Sequence, residues 1–353
     1  MPSSGRILEH VLPAVQVARA EIERIAPRYL SDGPCTTRVV AVQSRSHSTA
    51  TVIELRGGRE RRRFFLKTLS ITEANRDLKR AQIAEEHRVL EDLSLRFQPY
   101  DDLGVITPVA CWPDRLSMLT EEFPGEKLSA RIGRSKRFRS PAVAGQVTDL
   151  CRRVGRWLGL FQAFTKPMDG GASDVGALLA YCDRRLARLG ASPASGIHGL
   201  DRALVRYLER SAGAVSPADL LPVGCQNDFR PDNIMTDGRA IAVLDFTGFT
   251  EGPALYDFMK FWMKLEDFKH GLMFREAVVA GWQQAFREGY GAPVDLDGPL
   301  CRLLQVANVL DKMSEFVLPA RSGYQLRRLV LASRHRAHVA WLRRVIEGGD
   351  RPC

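Results

Sequence analysis

Three stretches between residues 37 and 70, TRVVAVQS, TATVIEL and RRRFFLKTL, are dense in β-branched and aromatic side chains, and Gly57-Gly58 separates the last two. Such runs bounded by a tight turn predict an antiparallel meander of three strands. From Thr72 to about Leu95 the period changes. Ala74, Leu78, Ile83, Val89, Leu90 and Leu93 recur at three- and four-residue steps among charges, which predicts one helix. Two further short strands are expected around VITPVACW and LSMLTEEF. Beyond Pro124-Gly125, long helical patterns such as AGQVTDLCRRVGRWLGLFQAF take over, broken by loops rich in Gly, Ser and Pro. Within them NIMTDGRAIAVLDF has two short apolar arms around Asp237-Gly238, which predicts a hairpin. The chain therefore divides into a helical extension over 1–36, a strand-rich lobe over 37–123 and a mainly helical lobe over 124–353. The first residues read as an amphipathic surface helix, because acidic residues interrupt the pattern a signal peptide needs.

Composition narrows the function classes. The 353 residues are 45% hydrophobic and 26% charged, ordinary values for a folded protein with a sizeable core. No apolar run approaches the roughly 20 residues that span a bilayer. Seven cysteines are scattered and never form CxxC, so neither a disulfide framework nor a zinc site is expected, and a reducing cytoplasm is the natural compartment. The net charge of +10 calls for something anionic. Its basic residues are spread along the chain, including RGGRERRR at 56–63, and read mainly as solvated faces, so no nucleic acid is expected as a partner.

The segment QNDFRPDN at 226–233 carries the most specific chemistry. It supplies Asp228, Arg230 two positions on, and Asn233 five positions on, just before the hairpin. With the turn centred on Asp237-Gly238, Thr236 faces Arg239, Asn233 falls opposite Ala242, and Asp245 lies just past the end of the returning arm. Magnesium takes hard oxygen ligands, usually one or two protein groups plus phosphate oxygens, so Asn233 and Asp245 suit a nucleotide-bound ion. Asp228 could orient an acceptor hydroxyl and take its proton, while Arg230 offsets charge on a transferring phosphoryl group. Asp and Asn beside Pro and Gly are also common turn formers. The ordered combination of DFRPDN, an Asp-Gly turn and Leu-Asp-Phe is much more specific than any one of its parts.

That block resembles the catalytic loop and metal-binding hairpin of the aminoglycoside phosphotransferase and choline kinase group, relatives of the protein kinases. Their pattern is H-G-D-x-x-x-x-N followed by a strand ending in I-D-W or I-D-F; here the hairpin ends in LDF at 244–246. The resemblance implies an α+β, protein-kinase-like bilobal fold with a small antiparallel sheet lobe, a larger helical lobe and nucleotide in the cleft. It implies ATP, with GTP as an alternative, and Mg2+ as cofactors, and a small-molecule hydroxyl acceptor: a sugar, amino sugar, amino alcohol or antibiotic. By the same resemblance Lys67 contacts nucleotide phosphates and Glu86 pairs with it, Glu85 being the close competitor. MLTEEFPG at 118–125 matches the hinge, where backbone groups of Glu121, Glu122 and Phe123 would bind the adenine edge. Ser46 and Ser48 stand where a glycine-rich phosphate loop would be, and His47 between them reads as a solvent-facing residue. GPALYDF at 252–258 resembles the following segment, which gives Asp257 a supporting role.

Two departures bear on this reading. The SRSHST loop at 44–49 lacks glycine, and Gln226 replaces the histidine before the catalytic aspartate. An amide can replace some hydrogen bonds of a histidine but cannot become cationic. Competing readings are a pseudokinase scaffold, a kinase acting on a protein or lipid, and a nucleic-acid-binding module. The chain leaves the acceptor's identity and the oligomeric state open.

Overall fold

A computed structural model describes residues 4–31, 33–44, 48–70, 75–138, 141–167, 173–192, 195–269, 274–317 and 325–347. Along the chain it has α1 (Ser4–Ile25), β1 (Cys35–Ser44), β2 (Ser48–Gly57), β3 (Glu60–Leu69), α2 (Arg76–Phe97), β4 (Leu103–Val105), β5 (Pro108–Trp112), β6 (Ser117–Glu121) and β7 (Glu126–Lys127). Next come α3 (Leu128–Phe138), α4 (Pro141–Phe164), α5 (Gly176–Gly190), α6 (Asp201–Gly213), β8 (Pro222–Cys225), β9 (Ile234–Thr236), β10 (Ile241–Val243) and β11 (Thr250–Pro253). The chain closes with α7 (Leu255–Glu266), α8 (Glu276–Tyr290), α9 (Pro299–Val317) and α10 (Gln325–Ile346). It forms two compact units, one of residues 1–131 with 232–249 and one of 132–231 with 250–353.

The first unit is built on a five-stranded antiparallel sheet, ordered β1-β2-β3-β6-β5. Alternation along β3 sorts its side chains. Phe64 and Leu66 join Ile53, Leu55 and Leu119 on one face, where Ala14, Val15, Ala18 and Ile22 of α1 cover them. The N-terminal helix is therefore part of this unit's core rather than a surface appendage, and its small residues let it lie close on the sheet. Lys67, one residue past Leu66, leaves by the opposite face. The charge cluster on the same strands is partly consumed: the buried carboxylate of Glu54 meets Arg38, Arg56 and Arg63.

A second, four-stranded sheet in this unit runs β4-β10-β9-β7, with β10 parallel to β4. The hairpin register differs from the expectation. Thr236 pairs with Ile241 and Ile234 with Val243, so the connection has four residues, 237–240, rather than two. Side-chain acceptors hold the wider turn: Asp237 Oδ1 takes the amides of Arg239 and Ala240, each at 2.7 Å, and Thr236 Oγ1 takes that of Gly238 at 2.9 Å. An Asx turn of this kind competes with a tight two-residue hairpin, and it wins here. Asn233 consequently stands beside Leu244, whose amide donates to the Asn233 carbonyl at 3.0 Å.

The second unit is mainly helical, with one short antiparallel pair, β8 and β11. Its centre is aromatic. Trp157 stacks on Phe161 and Phe229 at centroid distances of 5.0 and 5.5 Å, and Phe229 touches Phe261 at 5.5 Å. Helices α4 and α8 approach closely because glycine faces backbone at their contact. A Cβ on Gly155 would lie 2.0 Å from the Phe286 carbonyl oxygen, and one on Gly289 would lie 1.9 Å from that of Arg152. Among the described residues, no helix is long and apolar enough to cross a membrane.

Candidate active site

Lys67 is the hub of the first unit's polar site. Its Nζ lies 2.9 Å from both Glu86 oxygens, 2.7 Å from Asp245 Oδ1 and 2.6 Å from Thr247 Oγ1. The threonine hydroxyl in turn reaches Glu86 Oε2 at 2.7 Å and Asp245 Oδ1 at 2.9 Å. Burial alone would push the lysine pKa down, but the charges of Glu86 and Asp245 outweigh it and hold it above the ordinary value. The ammonium is therefore charged across the working pH range.

Glu86 is placed by helix phase. On α2 the buried positions Ile83, Leu90, Leu93 and Phe97 form a stripe, and Glu86 falls on it at a three-residue step from Ile83 and a four-residue step to Leu90. It is the one carboxylate on that stripe, and it also accepts the Phe246 amide at 3.2 Å. Glu85 lies off the stripe and pairs with Arg88 at 2.6 Å instead.

Asp245 lies two residues past the end of β10, in a left-handed backbone conformation with φ of 68°. A non-glycine residue held there is strained, a feature that clusters at functional positions. Asn233 immediately precedes β9 and Asp245 lies just past β10, so the open end of the hairpin carries an amide and a carboxylate. These hard oxygens suit a small divalent cation that also takes phosphate oxygens.

The remaining first-unit positions are those expected from the sequence to form a phosphate loop and a hinge. Ser48 begins β2, opposite Leu69; Ser46 and His47 lie outside the described residues. At the hinge, the Glu121 amide donates to the Thr107 carbonyl and that of Glu122 to Arg63, both at 2.9 Å. Among the described residues the Phe123 amide has no such acceptor. The Glu121 carboxylate receives the Tyr29 hydroxyl at 2.5 Å, which ties the segment after α1 to this strand.

In the second unit, Asp228 sits on a loop fixed from several sides. Phe229, the next residue, is fully buried in the aromatic centre. Gln226 is also fully buried, and its Oε1 accepts the Asp228 amide at 2.8 Å. The amide thus supplies the loop support expected of the missing histidine. Asn227 is held at φ of 65° while its Nδ2 donates to Thr250 Oγ1 at 2.7 Å. Beneath them the Asp257 carboxylate accepts the amides of Gln226 and Asn227 at 2.6 and 2.9 Å. Burial raises the Asp257 pKa to about 6, against the opposing pull of those amides and of Lys260. Arg230 pairs with Asp228 at 3.0 Å.

Two of these residues were not singled out from the chain. Thr247 had no signal, since a threonine two positions past an aspartate is unremarkable. Tyr29 lies in the segment read only as a surface extension.

No curated protein matches the chain. Among solved structures, an aminoglycoside-3'-phosphotransferase of type VIII is 19% identical with a TM-score of 0.50, covering 86% of this chain and 99% of that one. A choline/ethanolamine kinase family protein from Mesorhizobium loti is 14% identical with a TM-score of 0.51, covering 95% and 99%. A microcompartment-associated aminopropanol kinase is 15% identical with a TM-score of 0.51, covering 95% and 98%. At these identities the likeness is one of fold, and the fold is the kinase-like α+β one. The model of the phosphotransferase enzyme family matches residues 51–295, about two thirds of the chain, a span that holds Lys67, Glu86, Asp228, Asn233 and Asp245. The chain belongs to the phosphotransferase enzyme family.

Proposed function

We propose that this chain moves the γ-phosphoryl group of ATP, with GTP as an alternative donor, onto a hydroxyl of a small molecule. The observation that carries this reading is the contact of strand Lys67 with both helix Glu86 and hairpin Asp245. A buried ammonium matched to two carboxylates is ready to meet phosphate oxygens. In this reading residues 37–123 bind the nucleotide, and residues 124–353 carry the catalytic loop and the acceptor site. The Phe123 amide is the hinge donor left over for an adenine edge, beside the Glu121 carbonyl, and Ser48, with Ser46, lines the phosphate loop.

Asn233 and Asp245 would hold Mg2+, which when bound supplies neutralising charge to the donor's phosphates. Asp228 orients the acceptor hydroxyl and takes its proton as the hydroxyl oxygen bonds to the γ-phosphorus. The bond from that phosphorus to the bridging oxygen breaks, and the nucleoside diphosphate leaves with the electron pair. Lys67 and Arg230 offset the negative charge, so the protein works by positioning and electrostatics. The test is ADP release with Mg2+ across a panel of sugars, amino sugars, amino alcohols and hydroxy acids. Acceptor-stimulated release that vanishes in Asp228→Asn supports the reading; stimulation by none of them counts against it.

A further inference from the structure

Within the second unit a cavity of about 160 Å3 opens beside the catalytic loop, and its polar lining includes Tyr181, Asn227, Asp257, Lys260, Asn308 and Asp311. Asn227 in this lining immediately precedes Asp228. The charges in it are unequally committed. Asp311 Oδ1 accepts the Tyr181 hydroxyl at 2.6 Å and faces the Arg185 guanidinium at 2.7 Å. Asp257 is fully buried and spends each oxygen on a backbone amide of the catalytic loop. Lys260 is half-buried, and among the described residues it has no carboxylate oxygen within 4.0 Å. Its charge reaches Asp257 only through space.

Both Asp257 oxygens and Asp311 Oδ1 already hold partners, whereas the Lys260 ammonium has no carboxylate beside it among the described residues. A partly desolvated ammonium with no ion pair gains most from an anion. Resting on the reading of this cavity as the acceptor site, we propose that the acceptor is a small hydroxy compound carrying one anionic group, a carboxylate or a phosphate ester. That group seats on Lys260, and a hydroxyl points toward Asp228. The cavity is also smaller than the roughly 300–1,000 Å3 of sites for drug-sized ligands. A single ring or a short chain suits a volume of that size.

The test is calorimetric binding of gluconate, ribose 5-phosphate, glucose and glucosamine to the full-length protein, with Mg2+ and ADP present to fill the donor's phosphate positions. The same titrations are made with Lys260→Met and Lys260→Arg, whose melting temperatures check folding. At least one anionic probe is expected to bind roughly tenfold or more tighter than glucose and glucosamine, a difference of about 1.4 kcal/mol. Lys260→Met removes that preference and Lys260→Arg keeps it. Equal or tighter binding of the neutral or amino sugar, an unchanged preference in Lys260→Met, or no binding of either anion overturns the proposal. ADP release is followed separately. Anion selection through Lys260 without phosphoryl transfer overturns the function proposed above and not this inference, whereas transfer to neutral or amino sugars indifferent to Lys260 does the reverse.

Discussion

The Lys67 ammonium lies 2.7 Å from Asp245 Oδ1, so a strand lysine and the aspartate that ends a hairpin 178 residues later share one ion pair. Because Glu86 holds the same ammonium, the pair is oriented before any nucleotide arrives. Preorganised charge of this kind costs no rearrangement at the moment of reaction.

Removing Glu86 leaves Lys67 with part of its charge unmatched. Glu86→Ala should destabilise the protein by about 3 kcal/mol, the scale for breaking a buried pair. Glu85→Ala, which breaks an exposed pair with Arg88, should stay within about 0.5 kcal/mol. Denaturant unfolding of the two variants checks this, and equal losses would show that helix phase has been misread.

Thr247 bridges all three charged partners with one hydroxyl. Thr247→Val keeps the shape and removes the bridge, so a loss of about 1–2 kcal/mol in stability and a drop in kcat are expected. Thr247→Ser should restore both. Steady-state kinetics beside thermal melts reads the two effects, and a fully active Thr247→Val would make the hydroxyl incidental.

The support of Asp228 by Gln226 is equally testable. Gln226→Leu leaves the Asp228 amide without its acceptor, which should cost about 1–3 kcal/mol and lower kcat more than it raises KM. Gln226→His should retain activity if an imidazole nitrogen takes the same bond. A leucine variant with wild-type kcat would mean that the loop is held by Phe229 and Asp257 alone.

Much of this was readable along the chain, and for a physical reason. Period-two and helical patterns marked the five strands and α2, and the ordered run from Asp228 to Asp245 singled out the polar positions. What was not readable depended on competition among local forces. The hairpin widened to four residues because Asp237 and Thr236 side chains capture turn amides, which residue spacing does not reveal. Glu86, which the family resemblance favoured over Glu85, also lies on the stripe through Ile83, Leu90, Leu93 and Phe97. The burial of α1 was not readable, since Ala14, Ala18 and Ile22 make as good a surface helix as a core one until the sheet is known.

Asp257 gives the loop a pH dependence. Its folded pKa of about 6 lies above the ordinary 3.8, so the native protein holds this proton more tightly than the unfolded chain. Ionising it as pH rises from about 4 to about 6 therefore costs stability, on the order of 3 kcal/mol. Below pH 6 the neutral carboxyl is a weaker acceptor for the amides of Gln226 and Asn227, and kcat should fall with an apparent pKa near 6. In Asp257→Asn that acid limb should disappear or move, at the expense of a lower plateau. A pH–rate profile identical in the two proteins would remove Asp257 from loop control.

The most direct measurement follows label from the γ position of ATP into an organic phosphate ester, with Mg2+ and an acceptor found by the panel, in wild type, Asp228→Asn and Asp245→Asn. Wild type should transfer the label stoichiometrically with ADP release, and each variant should fall by about 100- to 10,000-fold while binding and melting show a folded protein. Label appearing only as inorganic phosphate, or transfer by Asp228→Asn within a few fold of wild type, would contradict phosphoryl transfer centred on Asp228 and Asp245.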